Sequence, residues 1–292
     1  MNIAIIGVGL IGGSFALALR GSRRNLRVMG VDRDAASLDD ALRRGVIDEA
    51  VLITEVADCD VILIAVPGRQ VAAVLATISP QLGPTTVVTD TGSTKVDVIA
   101  AARATLGSKI GQFVPGHPIA GREHAGVAAA TAELFEGKNV VLTPIAENIQ
   151  QSVERVRSMW GDCGARVVEM PAATHDAVFA AVSHLPHLLA FALVDELASR
   201  PNAKTLFSFA ASGFRDFTRI ASSNPEMWID IALDNRDALL RELNAYETQV
   251  IVLRTALEAG NGVALKALMS RAKTARDRWL AGELEGFRNE AT

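Results

Sequence analysis

Short apolar runs alternate with amphipathic stretches through the first half of the chain. The runs NIAIIG, LRVMGVD, DVILIAV and TTVVTD are rich in β-branched residues and have the length of buried strands, and each precedes a helical pattern. Further strands are predicted near Gln112–Val114, Asn139–Leu142 and Arg166–Glu169. Strands that alternate with helices indicate right-handed βαβ units and therefore a parallel sheet.

The pattern changes after Pro171, where glycine becomes sparse and helical periodicities continue to the end of the chain. In the segment ASSNPEMW, Asn224 is predicted as the N-cap of a helix and Pro225 as its first residue. The predicted fold class is therefore α/β, with a sheet-containing domain over residues 1–170 and an all-α domain over residues 171–292.

One apolar seam in the helical half predicts a long contact with a second helix. Its members are alternately four and three residues apart over three heptads, so they lie along one side of a helix. A helix of the same chain and a helix of a second subunit account for the seam equally well. The seam consists of Leu239, Leu243, Tyr246, Val250, Leu253 and Leu257.

Composition narrows the class of protein. A chain of 292 residues that is 49% hydrophobic and 21% charged is globular, and its net charge of −4 gives no reason to expect nucleic acid. Cys59 and Cys163 lie far apart, so we expect reduced thiols in a cytoplasmic protein. The apolar N-terminal run lacks the basic region of a signal peptide, and its regularly spaced glycines have a better explanation than a membrane span.

That explanation is a dinucleotide-binding turn of the Rossmann type. Gly7, Gly9 and Gly12 have the spacing G-x-G-x-x-G between a predicted strand and a predicted helix, where backbone can approach a pyrophosphate. Asp32 ends the next strand, where a carboxylate binds ribose hydroxyls and repels a 2′-phosphate, which favours NAD over NADP. Arg33 beside it would tolerate some NADP. The alternative is a packing turn without a ligand.

Two further segments, AVPGRQV and TDTGSTK, follow strands at the edge of the sheet where ligands bind. Ser93, Thr94 and Lys95 offer hydroxyls and a charge near the nicotinamide, although Ser93 or Thr94 could instead cap the following helix. The full set of predicted cofactor-binding residues is Gly7, Gly9, Leu10, Ile11, Gly12, Asp32, Arg33, Val66, Pro67, Thr91 and Ser93.

The segment VPGHPIAG places His117 on a rigid, bent loop between a Pro-Gly pair and a proline. If the neighbouring strands extend the sheet, this loop lies at the ligand-binding edge. A histidine with a near-neutral pKa suits acceptance of a hydroxyl proton while a hydride leaves the same carbon. The alternative is a structural histidine that caps a backbone carbonyl.

The helical half adds two pairs of candidate residues. In SHLPHLL, His184 and His187 lie on one face of a helix that Pro186 is expected to kink, either lining a polar cleft or packing helices. A metal site is not expected there, since the pattern offers no third ligand. Arg215 and Arg219 are four residues apart and could bind a dicarboxylate, or form a solvated face.

Several segments together resemble the prephenate/arogenate dehydrogenase family of tyrosine biosynthesis. They are GVGLIGGS, DTGSTK, GHPIAG, ELFEGK, VLTP, SHLPH and GFRDFTRIASSNPEMW, and they run from Asn2 to about Asn244. Their order and spacing carry the resemblance, because each motif alone is modest. The segment GREHAG departs from the family pattern, with Ala125 where a small polar residue is expected.

The resemblance implies NAD-dependent oxidative decarboxylation of prephenate, its amino analogue arogenate, or both, by a homodimer that joins through its helical domain. It makes His117 the general base and Ser93 the residue that orients it and the substrate hydroxyl. It makes Arg219 the ligand of a substrate carboxylate, with Arg215 as a second basic residue. His187 and His184 would border the substrate pocket.

Two other functions compete with this one. A β-hydroxyacid-type dehydrogenase would rely on a lysine of the helical domain, and the stretch Ala172–Ser212 offers only Lys204. A non-catalytic NAD-binding protein would leave His117 and Arg219 without a purpose. We therefore expect a small-molecule dehydrogenase that binds neither nucleic acid nor a membrane.

Overall fold

Six parallel strands form the main sheet in the computed structural model, which describes residues 1–22, 25–121 and 124–283. The strand order is β3-β2-β1-β4-β5-β6, so the direction of winding reverses between β1 and β4, the place where open α/β sheets bind ligands. The predicted parallel sheet is confirmed. The strands are β1 (Asn2–Ile6), β2 (Arg27–Val31), β3 (Glu49–Ala50), β4 (Val61–Ile64), β5 (Val87–Asp90) and β6 (Phe113–Val114).

Helices cover both faces of this sheet, which explains why its strands are continuous apolar runs. Ile3 and Ile5 of β1 point into one core, and Ala4 and Ile6 point into the other. Buried residues from the helices complete the two cores on their respective faces. These helices are α1 (Leu10–Ser22), α2 (Ala35–Arg43), α3 (Gly68–Ile78), α4 (Val96–Leu106) and α5 (Gln150–Asp162).

A second sheet of three strands follows, with the order β7 (Gly116–Pro118), β8 (Asn139–Leu142) and β9 (Arg166–Glu169). The predicted bounds of the last two strands are confirmed, and the condition that Asn139–Leu142 extends the main sheet does not hold. Pro115 has no backbone N–H with which to continue the ladder of β6. The chain leaves the main sheet there, and β7 pairs antiparallel with β8.

The helical half contains a wide turn inside a long helix. The helix starts as α6 (Ala172–Phe179), passes through a π-helical turn at Ala180–His184 and continues as α7 (Leu185–Ala198). The wide turn ends two residues before Pro186, whose ring and missing N–H are incompatible with a regular preceding turn, so the helix is irregular where the sequence predicted a kink.

This helix is a second long apolar run, which the sequence prediction missed. By length and composition Ala172–Ala198 could cross a membrane. Its polar residues His175, Asp176 and His184 are nevertheless buried and hydrogen-bonded within the protein. The helix therefore combines an apolar composition with buried polar side chains, and 28% of its most apolar window is buried within the protein.

The remaining helices are α8 (Ala203–Ser208), α9 (Ser212–Thr218), α10 (Pro225–Asp234), α11 (Arg236–Glu258) and α12 (Gly262–Leu280). The predicted cap of α10 is confirmed, since the Asn224 side chain accepts a hydrogen bond from the Glu226 N–H at 2.8 Å. The chain forms two compact units, Met1–Leu239 and Leu240–Thr292. The predicted domain boundary between residues 170 and 171 stays a prediction.

Candidate active site

The glycine-rich turn between β1 and α1 has the shape that a dinucleotide requires. Gly7 has φ +97°, and a Cβ there would lie 2.4 Å from the carbonyl oxygen of Ala65. A Cβ on Gly12 would lie 2.3 Å from the Gly7 carbonyl oxygen, whereas one on Gly9 would meet no described heavy atom within 4 Å. The first and third glycines are therefore needed by the turn itself, and the second leaves backbone open to a ligand.

A cavity of about 480 Å³ opens at the carboxyl ends of β1, β2 and β4, and Asp32, Arg33, Val66 and Pro67 are among the residues that line it. The Asp32 carboxylate accepts hydrogen bonds from the Val8 N–H at 2.9 Å and the Asp34 N–H at 3.0 Å. A carboxylate has about four acceptor positions, so two remain for ribose hydroxyls. The residues present thus fit an adenosine half of NAD.

Asp90, the last residue of β5, binds both segments that carry predicted catalytic residues, a loop and the strand β7. Its carboxylate accepts the Gly92 N–H at 2.8 Å, in the loop that holds Thr91 and Ser93, and the Gly116 N–H at 3.1 Å, directly before His117. Ser93 itself is partly exposed. One buried carboxylate therefore sets the positions of the Ser93 loop and of the strand β7.

Lys95 neutralises this carboxylate from inside the protein. Its ammonium group donates to Asp90 and, at 2.7 Å, to the carbonyl oxygen of Gly116, and both charged side chains are fully buried. The prediction that Lys95 presents a charge near the nicotinamide is therefore wrong. The sequence shows the charge but not the buried carboxylate that uses it.

His117 lies on the short strand β7, opposite Val141 of β8, and not on the loop that its prolines predicted. Its Nδ1 is 2.8 Å from Nε2 of His175, and the Phe179 ring packs edge-on against it at 4.9 Å between centroids. The partner of this ring nitrogen is another imidazole and not a backbone carbonyl, so the contact does not support the alternative of a capping role for His117. The ring is held by strand pairing on one side and by helix α6 on the other.

His175 and Asp176 lie directly behind His117, and the sequence prediction missed both of them. His175 is fully buried, and its Nδ1 lies 2.7 Å from the Asp176 Oδ1. The same carboxylate accepts the backbone N–H groups of Lys95 and Val96, each at 2.9 Å, at the start of α4. The cap that was expected from Ser93 or Thr94 therefore comes from Asp176. The only local signal was a His-Asp pair near the start of an apolar helix.

The surroundings keep these histidines neutral. Burial lowers the pKa of His117 well below its usual range, and the neighbouring His175, Lys95 and His184 lower it further. Burial also lowers the pKa of His175, and this effect outweighs the Asp176 contacts that raise it. A neutral imidazole can accept a proton, but the pKa of His117 is not the near-neutral one considered from the sequence, so the ring is a weaker base than a solvated histidine.

The structure separates the two histidines of SHLPH. His184 is buried, and its Nδ1 lies 3.1 Å from the Asn235 amide nitrogen, which also donates to the Asp176 carbonyl oxygen. Burial lowers the pKa of His184 to about 4. The buried contact with Asn235 supports the alternative in which His184 packs helices together. His187 is partly exposed and stacks on Trp228, with ring centroids 3.7 Å apart.

The two arginines lie on and just after α9, and both are exposed. Arg219 is close enough to His187 that its charge contributes, after burial, to lowering the pKa of that histidine. Arg215 lies one turn earlier on the helix. Within the described ranges, no three histidine, cysteine, aspartate or glutamate side chains are grouped to hold a metal ion.

Comparison with known proteins assigns this chain to a family. Residues 15–169 match the nucleotide-binding domain of prephenate dehydrogenase, and residues 171–271 match its dimerization domain. Prephenate dehydrogenase of Bacillus subtilis is 38% identical over 280 residues, covering 94% of this chain and 75% of the relative. Cyclohexadienyl dehydrogenase of Zymomonas mobilis is 36% identical over 265 residues, covering 89% of this chain and 90% of the relative.

Solved structures agree. Prephenate dehydrogenase from A. aeolicus, in complex with hydroxyphenyl propionate and NAD+, has a TM-score of 0.88 and 36% identity, covering 95% of this chain and 98% of that one. Synechocystis arogenate dehydrogenase has a TM-score of 0.82 and 30% identity, covering 96% of this chain and 100% of that one. The resemblance predicted from the motifs is confirmed. The chain belongs to the prephenate dehydrogenase family.

Proposed function

We propose that this chain oxidises and decarboxylates prephenate, arogenate or both with NAD as the hydride acceptor, a reaction of tyrosine biosynthesis. The relatives that it resembles are prephenate, cyclohexadienyl and arogenate dehydrogenases. The observation that carries the proposal is the position of His117. This neutral, doubly held imidazole lies next to the carboxyl end of β5, at the ligand-binding edge of a nucleotide-binding sheet.

The cofactor is NAD, which when bound would accept a hydride from the ring carbon that bears the substrate hydroxyl. The backbone of Gly7, Gly9 and Gly12, with Leu10 and Ile11 at the start of α1, would hold the pyrophosphate. Asp32 would bind the ribose hydroxyls and disfavour a 2′-phosphate, with Arg33, Val66 and Pro67 around them. Thr91 and Ser93 would lie at the nicotinamide end, after β5.

His117 would hold the proton of the substrate hydroxyl. As the hydride leaves, the C4–O–H proton passes to the imidazole and the C–O bond becomes a carbonyl. Loss of the ring carboxylate as CO2 then returns the electron pair to the ring, and the proton goes back to the oxygen, giving a phenol. Atoms and charge balance with no net proton released. Ser93 would orient the hydroxyl toward His117.

The substrate carries two carboxylates, whose recognition we assign to the basic residues of the helical segment. Arg219 would pair with one carboxylate, because a guanidinium binds a carboxylate through two parallel hydrogen bonds. Arg215 would add a second positive charge, and His187, stacked on Trp228, would border the pocket. His184 is buried, so it would support the wall of the pocket through its contact with Asn235 and would not touch the substrate.

The experiment that tests the function is turnover of the purified protein with NAD. We expect absorbance at the NADH band with prephenate or with arogenate, and weaker activity when NADP replaces NAD, because Asp32 repels the 2′-phosphate. Comparison of kcat/KM for the two substrates identifies the preferred one, since a keto and an amino group differ by only a few pocket contacts. Absence of turnover with both substrates would contradict the proposal.

Substitution of Arg219 by glutamine should chiefly raise KM for the substrate. The charge-assisted pair is made in the ground state as well as during the reaction, so kcat should fall much less than kcat/KM. The expected rise in KM is roughly ten- to a hundredfold, for the loss of one charged hydrogen-bonding contact. Arg200→Gln is a matched control, because Arg200, just after α7, pairs on the surface with Glu196 near the end of that helix. An unchanged KM in R219Q would remove Arg219 from the carboxylate site.

We also propose that the protein is a cytoplasmic homodimer joined through its helical domain, without a nucleic-acid or membrane partner. Seam residues of α11 remain about half exposed in the single chain, such as Tyr246 at 42%, Val250 at 45% and Leu257 at 60%. The match of residues 171–271 to a dimerization domain supports the subunit interface over the intrachain alternative. A stable monomer in light scattering at micromolar concentration would contradict this proposal.

A further inference from the structure

We infer that His175 and Asp176 are positioning residues that fix the proton of His117 on Nδ1, so that its Nε2 faces the substrate as a bare acceptor. They would also share the positive charge while His117 holds the substrate proton. The kinetic part of this inference rests on the proposed function. The tautomer itself is a property of the protein without substrate.

The derivation starts at Asp176, whose ionised carboxylate only accepts hydrogen bonds. Two N–H groups at the start of α4, those of Lys95 and Val96, donate to it at 2.9 Å each. These groups have no partner within the helix, and the positive end of the helix dipole stabilises the ionised form. His175 Nδ1, 2.7 Å from the same carboxylate, must therefore carry its proton toward it.

The next step fixes His117. A neutral imidazole carries one proton, so His175 with its proton on Nδ1 has a bare Nε2. That bare nitrogen lies 2.8 Å from Nδ1 of His117, which must then be the donor. His117 consequently carries its proton on Nδ1 and has its lone pair on Nε2. Of the two possible neutral tautomers, only this one can act as a base at the outer nitrogen.

The rings are held in this arrangement from several sides. Phe179 packs against both, with centroids 4.9 Å from His117 and 4.5 Å from His175. The charged and titratable groups that face the pair are Lys95 with its partner Asp90, and His184. Burial lowers the pKa of both rings, Lys95 adds to this effect, and for His175 the two together outweigh Asp176 and Asp90, so both rings are neutral before substrate arrives.

During the reaction, the pair would stabilise the protonated His117. When Nε2 takes up the hydroxyl proton, the imidazolium donates its Nδ1–H to His175, which in turn donates to the Asp176 carboxylate. The negative charge of Asp176 offsets the new positive charge through one neutral ring. Because the proton returns to the substrate oxygen later in the same turnover, it needs a temporary site.

The tautomer is measured first, by ¹⁵N NMR of histidine-labelled protein without substrate. With only five histidines in the chain, single histidine variants assign the signals. We expect Nδ1 of His117 to be protonated and Nε2 to be bare. A wild-type spectrum with the His117 proton on Nε2 overturns the inference, whatever the protein turns over.

A pair of variants at His175 then separates positioning from packing. In H175Q the side-chain carbonyl oxygen can reach the place of Nε2 and accept the His117 proton, whereas in H175L nothing can. H175L should lose roughly 10²–10⁴-fold in kcat, the range for loss of a correctly prepared base, with little change in KM. H175Q should recover most of that loss and keep the His117 tautomer. Equal kcat in the two variants would overturn the positioning role.

Asp176→Asn tests the shared charge. The amide oxygen can still accept from His175 and Lys95, so the tautomer should persist while kcat falls roughly 10- to 100-fold, as for a lost hydrogen bond to a charged group. Asp60→Asn is the matched control, because Asp60 accepts the Asn2 N–H at 2.8 Å at the opposite edge of the sheet. NAD affinity and Tm of each variant report on folding. Unchanged kcat in D176N overturns the charge-sharing half.

These outcomes are distinguishable from failure of the proposed function. If the wild type turns over neither substrate while His117 shows its proton on Nδ1, the function is wrong and the tautomer stands. If the wild type is active but the His117 proton is on Nε2, the function stands and the tautomer is wrong.

Discussion

His117→Asn should lower kcat by roughly 10²–10⁴-fold, the usual contribution of a positioned general base. Asparagine places its amide near the position of the histidine Nδ1, so the contact with His175 can persist while the outer nitrogen is lost. KM for the substrate should change little, because His117 contributes mainly to the reacting proton and not to the carboxylates. Stopped assays at saturating NAD give kcat and KM separately.

The control for this result is His124→Asn, which makes the same chemical change at an exposed residue seven positions along. It should retain kcat. A mild effect of H117N, comparable with that of the control, would return His117 to a structural role. The tautomer of His175 in H117N would then show whether the buried pair survives without its outer member.

Lys95→Met should destabilise the fold by about 3–5 kcal/mol, the cost of leaving one charge of a buried pair uncompensated. Asp90 is fully buried at the end of β5, so without Lys95 it would have to keep an unpaired charge or take up a proton. The carbonyl oxygen of Gly116 would also lose its donor. Urea unfolding of K95M and wild type at one pH gives the difference directly.

The double variant D90N/K95M is the informative companion. It removes both charges, so it should recover part of the loss. It cannot recover all of it, because the carboxylate of Asp90 accepts from both Gly92 and Gly116 and an amide has only one oxygen. A loss below about 1 kcal/mol in K95M, the size expected for an exposed pair, would contradict the buried-pair interpretation.

The cofactor half of the site could be predicted from the sequence because its determinants are local. Gly7, Gly9 and Gly12 lie within one turn, and Asp32 follows at the end of the next strand, so spacing alone describes the geometry. The bounds of β8 and β9 were predictable for the same reason, because a short run rich in β-branched residues favours a strand by itself. Which sheet a strand joins is decided elsewhere, here by Pro115.

The substrate half was only partly predictable, because its contacts join distant residues. His117 meets a partner 58 residues along the chain, and Lys95 meets the Asp176 cap 81 residues along. The position of Lys95 next to the ligand-binding edge of the sheet suggests a charge that binds a ligand. Only the fold shows that this charge is paired with the buried carboxylate of Asp90. The motif SHLPH likewise suggested two equivalent histidines, whereas burial makes them different.

The π-helical turn at Ala180–His184 has a consequence for which length changes this chain can tolerate. In a regular α-helix, residues eight apart are separated by about 80° around the axis. Asp176 and His184 are eight apart, yet the single side chain of Asn235 contacts both. The wide turn therefore adds one residue with almost no net rotation, so that positions 176 and 184 lie on the same side of the helix. Deletion of one residue among residues 181–183 would leave the two positions seven apart in a regular helix, within about 20° of alignment, whereas insertion of one residue would rotate His184 and His187 by about 100° away from their partners. A chain shorter by one residue in this turn is therefore expected to keep these contacts, and a chain longer by one residue is expected to lose them.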